Sequence, residues 1–153
     1  MVNIDKKAPA ITLLDGNGDK RTLKEFIGKK IVLYFYPKDN TSGCTAESCD
    51  FRDAFPKFKS NNAVIIGISP DSVESHRKFA AKYELPFILL SDENKKVLEK
   101  YDVWKEKSMY GRKYMGVVRT TVLVDEKGIV RKIYPKVKVN GHVEQVSNDL
   151  KEI

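Results

Sequence analysis

The sequence predicts an α/β fold in which a central mixed β-sheet is flanked by helices and entered through an N-terminal β-hairpin. Three observations lead there. The apolar, β-branched runs Ile31 to Tyr36 and Ala63 to Ser69 have the length and continuity of strands covered on both faces. Each is followed by a segment with helical signals, which is the alternation of a βαβ unit. Two later extended runs, Val117 to Val124 and Ile129 to Tyr134, flank the turn Glu126-Lys127-Gly128 and add an antiparallel pair.

Near the N-terminus, Ile11 to Leu14 and Lys20 to Leu23 flank Asp15-Gly16-Asn17-Gly18-Asp19, whose residues tolerate positive φ, so this segment reads as a hairpin. Ile31 to Tyr36 is the central strand. Thr45 to Phe58 follows as a helix with a break expected near Pro56, because proline lacks an N–H and crowds the preceding turn. Ala63 to Ser69 is the next strand. Asp71 or Ser72 can cap a helix in which Val73, His76, Phe79, Ala80 and Tyr83 fall at helical spacing. Phe87 to Leu90 reads as a short strand and Glu93 to Tyr101 as a short helix. Val117 to Val124 and Ile129 to Tyr134 follow as strands, and Val143 to Ile153 as a closing helix. No repeat, low-complexity tract or linker interrupts the 153 residues, and one domain is expected over 1–153.

Composition narrows the function. Lys and Arg number 28 against 21 Asp and Glu, a formal net charge of +7, but the basic residues are scattered in pairs with acids among them. A solvated lysine-rich surface fits that pattern better than a nucleic-acid site, which would concentrate the charge. No apolar stretch approaches the roughly 18 residues of a membrane span. Two cysteines are too few for a disulfide scaffold, so a reducing, cytoplasmic setting is expected.

Those two cysteines, Cys44 and Cys49, carry the chemistry. Cys44 falls where the apolar strand ends and the next helix begins, the place where backbone N–H groups and the positive helix end favour a thiolate. A free thiol, with a pKa of about 8.5, is mostly protonated at neutral pH, so a nucleophilic cysteine needs such positive potential. Gly43 would permit a tight turn before it. Arg119, the one charge within Gly116 to Val124, is the candidate to complete the site, since a charge in an apolar strand is seldom buried without a partner. A strand-end arginine facing solvent is the alternative.

Pro37, Thr41 and Cys44 form the Pro-x-x-x-Thr-x-x-Cys pattern, and with it the chain resembles the peroxiredoxins. Cys49, five residues on, resembles the bacterioferritin-comigratory or PrxQ-type subgroup. The likeness extends through Tyr34 to Asp39, Gly67-Ile68-Ser69, Leu90 to Glu93, Val103-Trp104, Glu106-Lys107, Arg119 and Val124-Asp125. One departure is Ser42, where many relatives carry proline. The resemblance implies a thioredoxin-like fold and reduction of hydrogen peroxide or organic hydroperoxides, with thioredoxin as the usual electron donor and a monomer as the usual state. It implies no cofactor and no metal.

It also implies roles. Cys44 would attack the peroxide and become a sulfenic acid, and Cys49 would resolve it as an intramolecular disulfide. Thr41 would set its hydroxyl by the sulfur, Arg119 would stabilise the thiolate and hold the polarised O–O bond, and Pro37 would cover the site. For Thr41 a helix cap is the other reading. Glu47 reads as a favourable first-turn acid or a partner for a nearby cation. His76 and His142 lack companions at metal-ligand spacing and read as surface or packed histidines; Trp104, Tyr110 and Tyr114 could line the site or be ordinary aromatics. Competing classes are a thioredoxin-type disulfide reductase, which would normally show Cys-x-x-Cys, and a basic binding module without peroxidase activity.

Overall fold

The alternation of side chains along the central strand sets the layers of the molecule, which a computed structural model describes over residues 1–153. In β3 (Lys30–Phe35), Ile31, Leu33 and Phe35 enter one hydrophobic core, while Val32, Tyr34 and the following Tyr36 enter the other. All six are buried, as a strand covered on both faces requires.

Around β3 the strands are β1 (Thr12–Asp15), β2 (Lys20–Thr22), β4 (Ala63–Ser69), β5 (Ile88–Ser91), β8 (Thr120–Val124) and β9 (Val130–Tyr134). They form one seven-stranded sheet in the order β2-β1-β5-β4-β3-β8-β9. β3, β4 and β5 run parallel, and the β1–β2 hairpin and the β8–β9 pair join antiparallel at the two sides. The mixed sheet and N-terminal hairpin are those expected. The helices are α1 (Ser42–Ser60), α2 (Val73–Tyr83), α3 (Lys96–Lys100) and α4 (His142–Leu150). Residues of α1, α2 and α4 share the core that holds Tyr34 and Cys44, whereas Val97 and Leu98 of α3 lie in the other. No helix is long and apolar enough to cross a membrane.

Three expectations are corrected. α1 does not break at Pro56 but runs through it to Ser60. The fixed φ of proline is already helical and only one backbone bond is lost, while Phe51 and Phe58 on either side are fully buried and clamp the helix to the sheet. The run Val117 to Val124 is not one strand: β7 (Arg112–Val117) ends and β8 starts at Thr120, leaving Arg119 between them. Lastly, β7 pairs with β6 (Trp104–Met109) in a separate two-stranded ribbon that the sequence reading did not foresee, and the predicted helix at Glu93 begins only at Lys96.

Candidate active site

β3 delivers the chain to the site. Beyond Phe35 it leaves the sheet through Tyr36 and Pro37, crosses the segment to Thr41, and enters α1 with Thr41 at its N-cap. Thr45 N–H donates to the Thr41 carbonyl at 2.8 Å, closing the first turn around Cys44. Cys44 is therefore on the first turn of a 19-residue helix, with its sulfur side buried in the core. From below, α1 is held by Tyr34, whose ring lies 4.7 Å from that of Phe51 and whose hydroxyl is 2.9 Å from Ser48 Oγ.

Arg119 arrives from the opposite neighbour of β3. The antiparallel register pairs Phe35 with Thr120, so Arg119 lies one residue beyond the paired end, beside the point where the chain turns into α1. Its carbonyl accepts from Val137 N–H at 2.8 Å, which pins the backbone. The guanidinium then divides between two groups: Nη2 donates to Cys44 Sγ at 3.3 Å, and Nη1 to Glu47 Oε1 at 2.7 Å. Gly43 lies against the same guanidinium; a Cβ there would stand 3.1 Å from Nη2. Its role is close approach within the helix, not the tight turn expected of it.

Glu47 is fully buried and its Oε2 has no hydrogen-bond partner. Burial pushes its carboxyl up to about 7 against the opposing pull of Arg119. Burial alone would lower the Arg119 guanidinium, but Glu47 and Cys44 outweigh it and hold it charged. His142 is pushed down to about 4 by burial and by the charge of Arg119, and its Nε2 lies 2.8 Å from Thr121 Oγ1. A buried thiol one hydrogen bond from a fixed cation, in a water-poor niche, has the arrangement a nucleophilic thiolate needs.

Of the residues singled out from sequence, Cys44 and Arg119 are brought into contact. Pro37 is half-buried at the start of the connecting segment. Thr41 caps α1 by its backbone, and its exposed hydroxyl donates to Lys38 O at 2.7 Å. Cys49 is a half-buried free thiol on the same helix as Cys44. Glu47 is the cation partner of Arg119, a role its place in the first turns left open. Tyr110 and Tyr114 are exposed on the β6–β7 ribbon, and Trp104 packs on the core away from α1.

This fold and this thiol–arginine contact define a thiol-dependent redox enzyme on a thioredoxin-like scaffold. Residues 4–133 match the AhpC/TSA family. The chain is 49% identical over 152 residues to peroxiredoxin Bcp of Bacillus subtilis, covering 99% of this chain and 97% of that one. It is 48% identical over 145 residues to a putative peroxiredoxin Bcp of Coxiella burnetii, covering 95% and 96%. Among solved structures, the Xanthomonas campestris bacterioferritin comigratory protein, studied for its alkyl peroxide reduction activity, superposes with a TM-score of 0.88 at 42% identity over 93% of this chain and 90% of that one. A mutant of Xylella fastidiosa PrxQ superposes with a TM-score of 0.93 at 36% identity, covering 99% and 97%. The chain belongs to the AhpC/TSA family and, within it, to the peroxiredoxins of Bcp or PrxQ type.

Proposed function

We propose that Cys44 is the thiol that reduces hydrogen peroxide and organic hydroperoxides, that Cys49 resolves its oxidised form, and that thioredoxin or a similar dithiol restores both. In the first step the Cys44 thiolate takes one peroxide oxygen: an S–O bond forms, the O–O bond breaks, and water or an alcohol leaves after taking up a proton. Cys49 then attacks the sulfenic sulfur, the S–S bond forms and water departs. A dithiol donor supplies the two electrons that return both thiols.

The observation that carries this reading is the 3.3 Å contact from Arg119 Nη2 to Cys44 Sγ, with the other nitrogen of the fork held by Glu47. An arginine so placed can bond the thiolate and the departing oxygen with separate N–H groups. Pro37 shields the site and Thr41 borders it, its oxygen still able to accept a bond. A monomer in the cytoplasm is the state this reading expects.

The test is NADPH consumption coupled through thioredoxin reductase and thioredoxin, with hydrogen peroxide and a bulky hydroperoxide as substrates. Turnover in the parent and none in Cys44→Ser is the expected outcome. Peroxidase activity that survives in pure Cys44→Ser protein would end the proposal, and insulin reduction without peroxide use would favour a disulfide reductase.

A further inference from the structure

His76 of α2 is completely buried, and so, almost, is Asp39 in the segment between β3 and α1. His76 Nδ1 is 2.8 Å from Asp39 Oδ2, and Nε2 is 3.0 Å from the Leu90 carbonyl on β5. A peptide carbonyl only accepts, so Nε2 carries a hydrogen. Asp39 accepts from Tyr36 Oη at 2.6 Å and from Ser75 Oγ at 2.7 Å as well as facing Nδ1. Burial pushes its carboxyl up, but the bonds from His76, Tyr36 and Ser75 outweigh this and hold it below the usual carboxylate range. Each ring nitrogen thus faces an acceptor, the Asp39 carboxylate at Nδ1 and the Leu90 carbonyl at Nε2.

We propose that Asp39 and His76 form a buried ion pair that holds the 37–41 segment against Cys44, making both positioning residues for the peroxide step. This rests on Cys44 being the peroxide-reducing thiol. Asp39 lies midway between Pro37 and Thr41, and its own N–H donates to Asp71 Oδ2 at 2.8 Å. Asp71 in turn accepts from Ser69 Oγ at 2.6 Å at the end of β4. The next residue, Asn40, has a left-handed φ of 63°, and Thr41 bonds back to Lys38. The short segment thus curls around one buried charge that ties it to β3, β4, β5 and α2 together.

The groups facing His76 are Tyr36 just past β3, Asp39 from the segment, Ser69 from β4 with Asp71 behind it, Leu90 from β5, and Ser75 on its own helix. Arg77 and Lys78 point away and are exposed. Asp39, Asp71 and His76 bring ligand atoms within 4.8 Å of one another, but both ring nitrogens are already engaged, by Asp39 and by the Leu90 carbonyl. Removing either charge leaves the other buried and unpaired, which the segment relieves by moving. A displacement of about 1 Å in a positioned site slows a reaction about 100-fold.

The experiment has two arms. In the parent at neutral pH, the ring nitrogen shifts of His76, read by NMR through its carbon-bound protons, should both lie in the protonated range. One nitrogen in the unprotonated range overturns the ion pair. In the second arm, Asp39→Asn, His76→Gln and the double variant are compared for oxidation of Cys44 by hydrogen peroxide and for its alkylation by iodoacetamide. Each single variant should react with peroxide about 100-fold more slowly, with alkylation nearly unchanged, and the double variant should be no slower than the worse single. If the singles do not fold, the double variant, with no unpaired charge, makes the comparison with the parent. Parental peroxide rates in a folded single variant, or in the double variant where neither single folds, overturn the positioning role. A parent whose Cys44 ignores peroxide would instead count against the peroxidase reading itself.

Discussion

Arg119 Nη1 lies 2.7 Å from Glu47 Oε1, so the cation that touches the Cys44 sulfur is braced by a carboxylate with no exposure to water. The brace is asymmetric, because Glu47 Oε2 is buried without a partner. A half-satisfied buried ion pair is poorly suited to stabilising the fold and well suited to fixing the direction of the guanidinium. Cys44, Glu47 and Ser48 all lie on α1 ahead of Cys49, so the brace exists only while that part of the helix is wound.

Arg119→Lys keeps the charge and loses the planar fork. An ammonium is a compact point charge and cannot present two rigid N–H groups to Cys44 and Glu47 at once. Loss of one preorganised donor of this kind costs about 100-fold in rate. Stopped-flow oxidation of Cys44 by hydrogen peroxide should show a decrease of that order with the fold intact by circular dichroism. A parental rate would mean that the fork does not act on the peroxide.

The pH dependence of helix opening should follow Glu47. Its carboxyl is pushed up to about 7 in the wound helix, against an ordinary value of 4.5. The stability this proton lends is complete below about 4.5 and is lost as pH rises through about 7, so opening becomes easier toward neutral pH, by about tenfold per pH unit at most. His142 acts with the opposite sign: lowered to about 4 from 6.5, it lends stability above 6.5 that is lost as pH falls through 4. It lies on α4 and is not released when only the start of α1 opens. Hydrogen exchange over residues 42–50, corrected for intrinsic rates, should therefore rise from pH 4.5 to 7 in the parent and much less in Glu47→Gln, where Asp50, also raised by burial, is left. Global stability of Glu47→Gln should fall more than that of the parent on acidification from 6.5 to 4. A parental exchange profile in Glu47→Gln would remove Glu47 as the titrating group.

What the sequence made legible follows from how local each signal is. The runs of β3 and β4, and the place of Cys44 at a strand-to-helix junction, are written in contiguous residues. Arg119 stood out because a lone charge in an apolar run needs a partner, although the strand it seemed to occupy is broken at that residue. The ribbon β6–β7 was invisible because most of its residues, such as Lys105, Glu106, Arg112 and Lys113, are exposed, so no alternation of burial marks it. Glu47 and His76 escaped for another reason. Their partners lie 72 and 37 residues away, and an acid near a helix start or a histidine on a helical face looks the same with or without them.

Gly43→Ala should separate stability from activity. Alanine favours a helix over glycine by up to about 1 kcal/mol, and Gly43 lies within α1 with ordinary helical surroundings. Its new Cβ would stand 3.1 Å from Arg119 Nη2, the nitrogen that bonds the sulfur, so the guanidinium must shift by a few tenths of an ångström. The melting temperature should hold or rise while the peroxide rate drops on the order of tenfold. Unchanged kinetics in a stabilised variant would show that the guanidinium has slack at this contact.

Cys49→Ser tests whether the helix must unwind in each cycle. Five residues along an intact helix give a rise of about 7.5 Å and a turn of about 140°, placing the two Cα atoms roughly 8 to 9 Å apart. A disulfide accepts only about 4.4 to 6.8 Å, so Cys44 and Cys49 cannot bond while α1 is wound. Opening must break the Tyr34–Ser48 bond and release Glu47 from Arg119, which is feasible for a helix end, among the least stable parts of a fold. In the parent, peroxide should therefore produce a Cys44–Cys49 bridge by mass spectrometry and faster hydrogen exchange over residues 42–50. Without Cys49, the protein should consume one equivalent of peroxide as Cys44 becomes the sulfenic acid, stop turning over with thioredoxin, and consume a second equivalent as that sulfenic acid gains another oxygen and passes to sulfinic acid. Full thioredoxin-dependent turnover by Cys49→Ser, or an oxidised parent whose α1 exchanges no faster than the reduced one, would remove Cys49 as the resolving thiol.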